Sequence, residues 1–222
     1  MPVLKRIAQL STFSAVAGAG IWKYYTKDTV FVPYTQLRAE RDLPSLGTYN
    51  PGHNPPALVD KAVRRVPLSQ LRTTDVGTLT RGFCAGVWSG PGFEMQKNRL
   101  ASQGRMLEGR DAHLWGKDEL AGSEYPVGTR IADHFEVVER TPNKVVVRCG
   151  DTPHKEGPRP SDGLFSMEVH KEDGYATFAM KSIFFNSTPE GSTPAQLPWW
   201  FPFAHREYAK LWMETSVRRL MK

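Results

Sequence analysis

The chain has 222 residues, a mass of 25.0 kDa, 40% hydrophobic residues and only two cysteines. This apolar fraction excludes a wholly disordered chain, and two cysteines can form neither a disulfide scaffold nor a four-cysteine zinc site. The formal charge of +6 comes from the two chain ends, while the middle is nearly neutral. Because binding to duplex nucleic acid needs a basic face, nucleic acid is not an expected partner.

The amino-terminal segment, residues 1–27, is predicted to be a targeting or membrane-anchor segment. Lys5 and Arg6 precede an uncharged run from Ile7 to Trp22, and the segment contains no acidic residue. The run is short of the ~20 apolar residues that span a bilayer, and basic, acid-free leaders are typical of mitochondrial import. We expect a mitochondrial or membrane-associated protein, with the secretory pathway as the alternative; fluorescent fusions with and without residues 1–27 test this address.

Residues 28–57 form a Pro-rich tether in this interpretation, because five prolines and several Gly and Asn residues interrupt any helix or central strand. The apolar patch 30–32 is a candidate for docking on the body of the protein.

The body is expected to be one domain, residues 58–222. It begins with a predicted strand from Leu58 to Leu68.

Two helices are predicted next. Asp75 or Thr74 is a candidate cap for the first, in which Leu79, Phe83 and Val87 follow the helical spacing. The sequence Ser-Gly-Pro-Gly at 89–92 ends it, and residues 93–107 are expected to form a second, more polar helix.

Four segments then alternate apolar and polar residues, as strands do. They are Thr129–Val138, Lys144–Gly150, Leu164–His170 and Tyr175–Phe185. Turn residues between the members of each pair indicate two antiparallel hairpins. A long amphipathic helix follows Pro202. We therefore predict an α+β fold in which a curved antiparallel sheet grips a long C-terminal helix.

This element order resembles the START-like helix-grip (SRPBCC) superfamily, which includes polyketide cyclases, lipid-transfer domains and ligand-binding plant proteins. Three segments are similar in sequence to segments of that superfamily: 127–131, where a strand begins, 135–140, where the strand runs into a turn, and 145–148, in the strand that follows the turn. The resemblance covers residues 58–221. It implies a cavity between the sheet and the terminal helix that accepts an apolar small molecule, with segments 152–163 and 189–203 as lids.

Candidate catalytic residues are Asp133 and His205. Alternation places Asp133 on the apolar side of its strand, where an ionised carboxylate needs a partner; it is either a base or ligand contact, or a member of a structural ion pair. His205 lies in the first turn of the terminal helix, where it either exchanges protons or has a surface role. The candidate ligand-binding residues are Trp88, Phe165, Met167, Phe178, Met180, Ser182 and Trp212.

No reaction is identified by motif. The six histidines are scattered, so no metal site is expected, and no cofactor or nucleophile elbow is indicated. The preferred function is binding or transfer of a lipid-like or polycyclic molecule. One alternative is a cyclase or isomerase on the same scaffold that uses Asp133 or His205 for proton transfer. Another is an accessory protein that docks on a protein partner through the aromatic loop 197–203.

Overall fold

The computed structural model describes residues 17–33, 44–102, 112–193 and 196–222. The fold is α+β, as predicted, with a seven-stranded antiparallel sheet and a long C-terminal helix. The strands are β1 (Val30–Phe31), β2 (Leu58–Pro67), β3 (Arg130–Ile131), β4 (Phe135–Thr141), β5 (Lys144–Cys149), β6 (Asp162–Glu172) and β7 (Tyr175–Phe185). The helices are α1 (Pro44–Tyr49), α2 (Val76–Trp88), α3 (Pro91–Ser102), α4 (Lys117–Gly122) and α5 (Phe201–Leu220).

The strands lie side by side in the order β1-β2-β7-β6-β5-β4-β3, so the sheet is open, with short strands at both edges. The two predicted hairpins are confirmed as β4–β5 and β6–β7. Strand β2, which comes early in the chain, pairs with the last strand, β7. The antiparallel pairing runs from Leu58 opposite Phe184 to Pro67 opposite Tyr175. The patch 30–32 does dock on the body, because β1 pairs with β2.

The strand predicted from Thr129 to Val138 is interrupted. Residues 132–134 form a turn in which Ala132 and Asp133 have φ angles of 48° and 56°, and β3 and β4 pair with each other across it. This left-handed conformation is one that Asp tolerates better than most residues. Alternation therefore does not decide where the Asp133 side chain points.

Both faces of the sheet are covered. The larger cluster packs α2 and α5 against one face. On the other face, Val146, Leu164 and Ile183 contact Leu46 and Tyr49, the latter two from α1 in the tether. The sequence pattern predicts only the first apolar face, because the cover for the second comes from a Pro-rich segment with no amphipathic repeat.

Helix α2 begins as predicted at Asp75, whose Oδ1 accepts the Thr78 backbone N–H at 2.8 Å. Hydrogen bonding to the side chain and to the backbone N–H of Thr78 lowers the pKa of Asp75. Leu79, Phe83 and Val87 share its buried face. The part of the second helix predicted beyond residue 102 lies outside the described residues.

The C-terminal helix α5 is held by a buried ion pair. Arg64 of β2 lies 2.7 Å from Glu214, and Thr29 donates a hydrogen bond of 2.6 Å to the same carboxylate. Residues 17–25 are helical and contact α5 as well, because Trp22 donates to Glu207 and Arg218 donates to the Tyr25 carbonyl. Among the described residues, no helix is long and apolar enough to cross a membrane. Residues 1–16 of the predicted anchor lie outside them.

Candidate functional site

A cavity of about 570 Å³ lies between the sheet and α5. The sheet contributes Phe135, Cys149, Phe165, Met180, Ser182 and Phe184 to its wall. The helix contributes Phe201, Ala204, His205, Tyr208, Ala209 and Trp212. The volume lies within the range of sites that hold one small organic molecule.

The inner wall of the cavity is aromatic. The rings of Phe165 and Trp212 meet edge to face with centroids 5.6 Å apart, and Trp88 packs behind Trp212 at 5.5 Å. Such edge-to-face pairs stabilise by ~0.5–1.5 kcal/mol beyond burial of their area. Together these packed rings form an apolar surface on this side of the cavity.

The cavity also has a polar end formed by Ser182 of β7, which pairs with Phe165 across the sheet, and His205 of α5. His205 Nε2 lies 3.5 Å from Oδ2 of Asp60, a buried carboxylate of β2 that stands opposite Ser182 in the strand pairing. Neither of these two atoms has a hydrogen-bond partner among the described residues. Phe184 and Phe201 pack against the imidazole ring, which limits its rotation. A ligand oxygen at this end would find a hydroxyl and an imidazole within one apolar chamber.

Tyr208 and His134 add two more polar groups to the lining. The Tyr208 hydroxyl donates to the Gly92 carbonyl at 2.8 Å and contacts Gln96 at 3.1 Å, which joins α5 to α3 beside the cavity. Burial raises the pKa of Tyr208, so the phenol stays protonated. Burial lowers the pKa of His134, which favours its neutral imidazole.

Five of the residues nominated from the sequence meet at this cavity. They are Phe165, Met180, Ser182, His205 and Trp212. Trp88, Met167 and Phe178 are fully buried in the adjoining core and are not part of the lining. Of the two candidate lids, 189–203 contributes Trp200 and Phe201, whereas no described residue of 152–163 lines the cavity.

Asp133 lies away from the cavity lining. Its Oδ1 is 2.9 Å from Nδ1 of His113, and its backbone N–H donates to the same nitrogen at 3.2 Å. The left-handed turn explains the position, since it directs the carboxylate away from the side shared by Ile131 and Phe135. The structure thus pairs Asp133 with a histidine that the sequence pattern did not connect to it.

Several residues of the site were not nominated from the sequence, among them Tyr208 and His134 in the lining and Asp60, which contacts His205 from outside the lining. Asp60 was hidden in the first strand, and Tyr208 and His134 have no motif around them. One signal was available for Asp60: alternation along β2 puts it on the same side as Ala62 and Arg64. A carboxylate at that position predicts a buried polar partner on the opposing helix.

The two cysteines are unsuited to nucleophilic chemistry. Cys84 and Cys149 are both buried, and both are free thiols that form no disulfide. Burial raises the pKa of each thiol to about 12, so the reactive thiolate is scarce near neutral pH. Cys149 therefore contributes only its apolar sulfur to the cavity wall.

The aromatic loop is strongly exposed next to the cavity. Trp199 and Phe203 are 92% and 70% exposed, while the neighbouring Trp200 and Phe201 line the cavity.

A comparison of the chain with protein-family models, with curated proteins and with solved structures finds no match in any of the three.

Proposed function

We propose that the protein binds or transfers an apolar small molecule, lipid-like or polycyclic, in the cavity between the sheet and α5. One observation carries the proposal: a chamber of about 570 Å³ with an aromatic wall and a few polar groups at one end. Apolar walls supply affinity, and a small number of placed polar groups supply orientation. In this proposal the sheet grips the helix as in the START-like superfamily, which the sequence resembles.

The polar end favours a ligand with an oxygen atom on an otherwise apolar body. Ser182 can donate or accept a hydrogen bond, and His205 is held near the Asp60 carboxylate. A pure hydrocarbon would leave these groups unpaired, at a cost of ~1–3 kcal/mol for each buried polar group without a partner. A sterol-like alcohol, a fatty acid or a polycyclic phenol satisfies this requirement.

The first test is to identify what the purified chain carries, by native mass spectrometry and by solvent extraction.

The second test measures binding of the neutral fluorescent probe N-phenyl-1-naphthylamine. Ala204→Trp places a bulky ring at the exposed side of the cavity lining. We expect probe affinity at least ~10-fold weaker, because excluding the probe removes well over 1.4 kcal/mol of apolar burial.

The matched control is Ala121→Trp, an exposed helical alanine of α4 that does not line the cavity. This variant should bind the probe as the wild type does. Equal loss in both variants, or probe binding that never saturates in the wild type, would contradict a ligand role for the cavity.

A second candidate function is a cyclase or isomerase reaction in the same cavity, and the pairing of His205 with Asp60 favours it. An imidazole that is packed against Phe184 and Phe201 and lies beside a carboxylate is suited to moving a proton. Asp133, the other nominated proton carrier, faces His113 instead of the cavity.

The two functions separate on one variant. His205→Gln should change probe affinity by less than ~3-fold in both cases, because the ring is a small part of the wall. If extracted ligand is converted to product, the same variant should lower turnover ~10²–10⁴-fold, the usual contribution of a general acid–base residue. Conversion that is unaffected by His205→Gln would remove His205 from the mechanism.

A further inference from the structure

A second polar cluster, separate from the cavity lining, is formed by His113, Asp133 and His154. One imidazole nitrogen or carboxylate oxygen from each residue lies within 4.8 Å of the other two. The imidazole rings of His113 and His154 stack with centroids 5.0 Å apart. Three distant parts of the chain supply these residues, which is why the spacing of histidines along the sequence gave no metal signal.

The geometry around His113 favours a cation. Its Nδ1 lies 2.9 Å from the Asp133 Oδ1 and 3.2 Å from the Asp133 backbone nitrogen. The other ring nitrogen, Nε2, is buried and has no hydrogen-bond partner among the described residues. A buried polar atom without a partner is costly unless a ligand satisfies it. A divalent metal ion bound by this nitrogen, with the Asp133 carboxylate beside it, would do so.

The surroundings of His113 hold its side chain in place. The side chain is completely buried, and buried side chains have little freedom to move. The backbone around it is fixed, since Leu114 donates to the Arg130 carbonyl at 2.9 Å and Ala132 donates to the Leu114 carbonyl at 3.2 Å.

The loop that carries His154 is also held in place. Arg159 donates to the Lys155 carbonyl at 2.9 Å, and Arg148 donates to the Gly157 carbonyl at 2.6 Å. Such outer contacts restrict the positions that a metal ligand can take. The loop nevertheless leaves His154 room to adjust, because the hydrogen bonds are made by its backbone and not by the imidazole.

We propose that His113, Asp133 and His154 bind a divalent transition metal, and that Zn²⁺ is the ion that the ligand set fits. Two imidazoles and one carboxylate are typical zinc ligands and leave a fourth position for solvent. In a tetrahedral site the ligand atoms lie ~3.3 Å apart, so the cluster must contract. The near-parallel rings, inclined by 16°, require the His154 ring to turn so that its lone pair meets the ion.

The experiment uses the full chain, without a histidine tag and freed of metal by chelation. Zn²⁺ is titrated in competition with a chromophoric chelator, and Co²⁺ is added separately to record its visible absorption. We expect one equivalent of Zn²⁺ and the intense bands of four-coordinate Co²⁺. His154→Ala and Asp133→Asn should each weaken Zn²⁺ binding at least ~10-fold. Asn suits position 133 because it tolerates the φ of 56° as Asp does.

The matched control is His170→Ala, an exposed histidine outside the cluster, which should bind Zn²⁺ as the wild type does. Thermal unfolding supplies a second readout: Zn²⁺ should raise the midpoint of the wild type and of His170→Ala, but not of His154→Ala. Unsaturable binding by the wild type, or equal affinity in His154→Ala, would overturn the proposal. That result would make the contact of His113 with Asp133 a structural hydrogen bond.

Discussion

Replacing Glu214 by glutamine is expected to lower the free energy of unfolding by ~3–5 kcal/mol, because it removes the close, buried counter-charge of Arg64 and leaves only the half-exposed Asp28 at 3.8 Å. Glu214 is completely buried and lies 2.7 Å from Arg64, whose side chain is 4% exposed. Arg218 also contacts this carboxylate at 3.1 Å. Burial already lowers the pKa of Arg64. Without Glu214, two guanidinium groups would face each other.

Urea unfolding followed by circular dichroism measures this effect. Glu207→Gln, which alters a half-buried carboxylate on the same helix, is the control and should cost no more than ~1 kcal/mol. The double variant Arg64→Met with Glu214→Leu removes both charges, and it should recover most of the lost stability. A loss below ~1 kcal/mol in Glu214→Gln would mean that solvent reaches Arg64.

The second large effect is expected at Gly86, where the backbone of α2 lies close to the backbone of α5. A Cβ atom at this position would lie 2.7 Å from the Cα of Ser216 and 3.2 Å from its carbonyl oxygen. Backbone atoms cannot turn aside, so Gly86→Ala must push the two helices apart. We expect it to lower the free energy of unfolding by ~1–3 kcal/mol, the usual cost of overpacking, and to disturb the Trp212 side of the cavity.

Gly82→Ala is a closely matched control, because it makes the same change one turn earlier in the same helix. Its Cβ would lie 2.7 Å from Cδ2 of Leu220, the end of a flexible side chain that can rotate away. Alanine also favours the helix over glycine by ~1 kcal/mol. Gly82→Ala should therefore be close to neutral in urea unfolding. Equal stability of the two variants would contradict the backbone contact at Gly86.

Most strands and helices of the body could be predicted from local pattern because each has a clear period, whereas the short helix α4 and the break between β3 and β4 were not predicted. The boundaries of β7 agree with the predicted segment, and β5 differs from its prediction by one residue. The cap at Asp75 could also be found, since an acceptor side chain before an apolar helical repeat has a local cause. Part of the cavity lining could be predicted for the same reason: alternation puts Phe165, Met180 and Ser182 on the side of the sheet that faces α5.

Asp133 illustrates where local pattern fails. Alternation assumes an extended backbone, and a left-handed turn at 132–134 breaks that assumption. The contact of His113 with Asp133 and the approach of His154 depend on three segments that meet only in the folded chain. Asp60 and His205 likewise stand 145 positions apart and meet because β2 pairs with β7 beneath α5. No spacing rule connects such residues.

The sequence by itself determined the class of the fold, the two hairpins, the capped helix and the apolar side of each strand, because hydrophobic period and capping act between neighbours in the chain. Only the tertiary structure decided which polar groups come together: Arg64 with Glu214, His205 with Asp60, and Asp133 with two histidines. These contacts are set by how strands and helices pack, and a buried charge gains its partner only when the whole chain has closed around it.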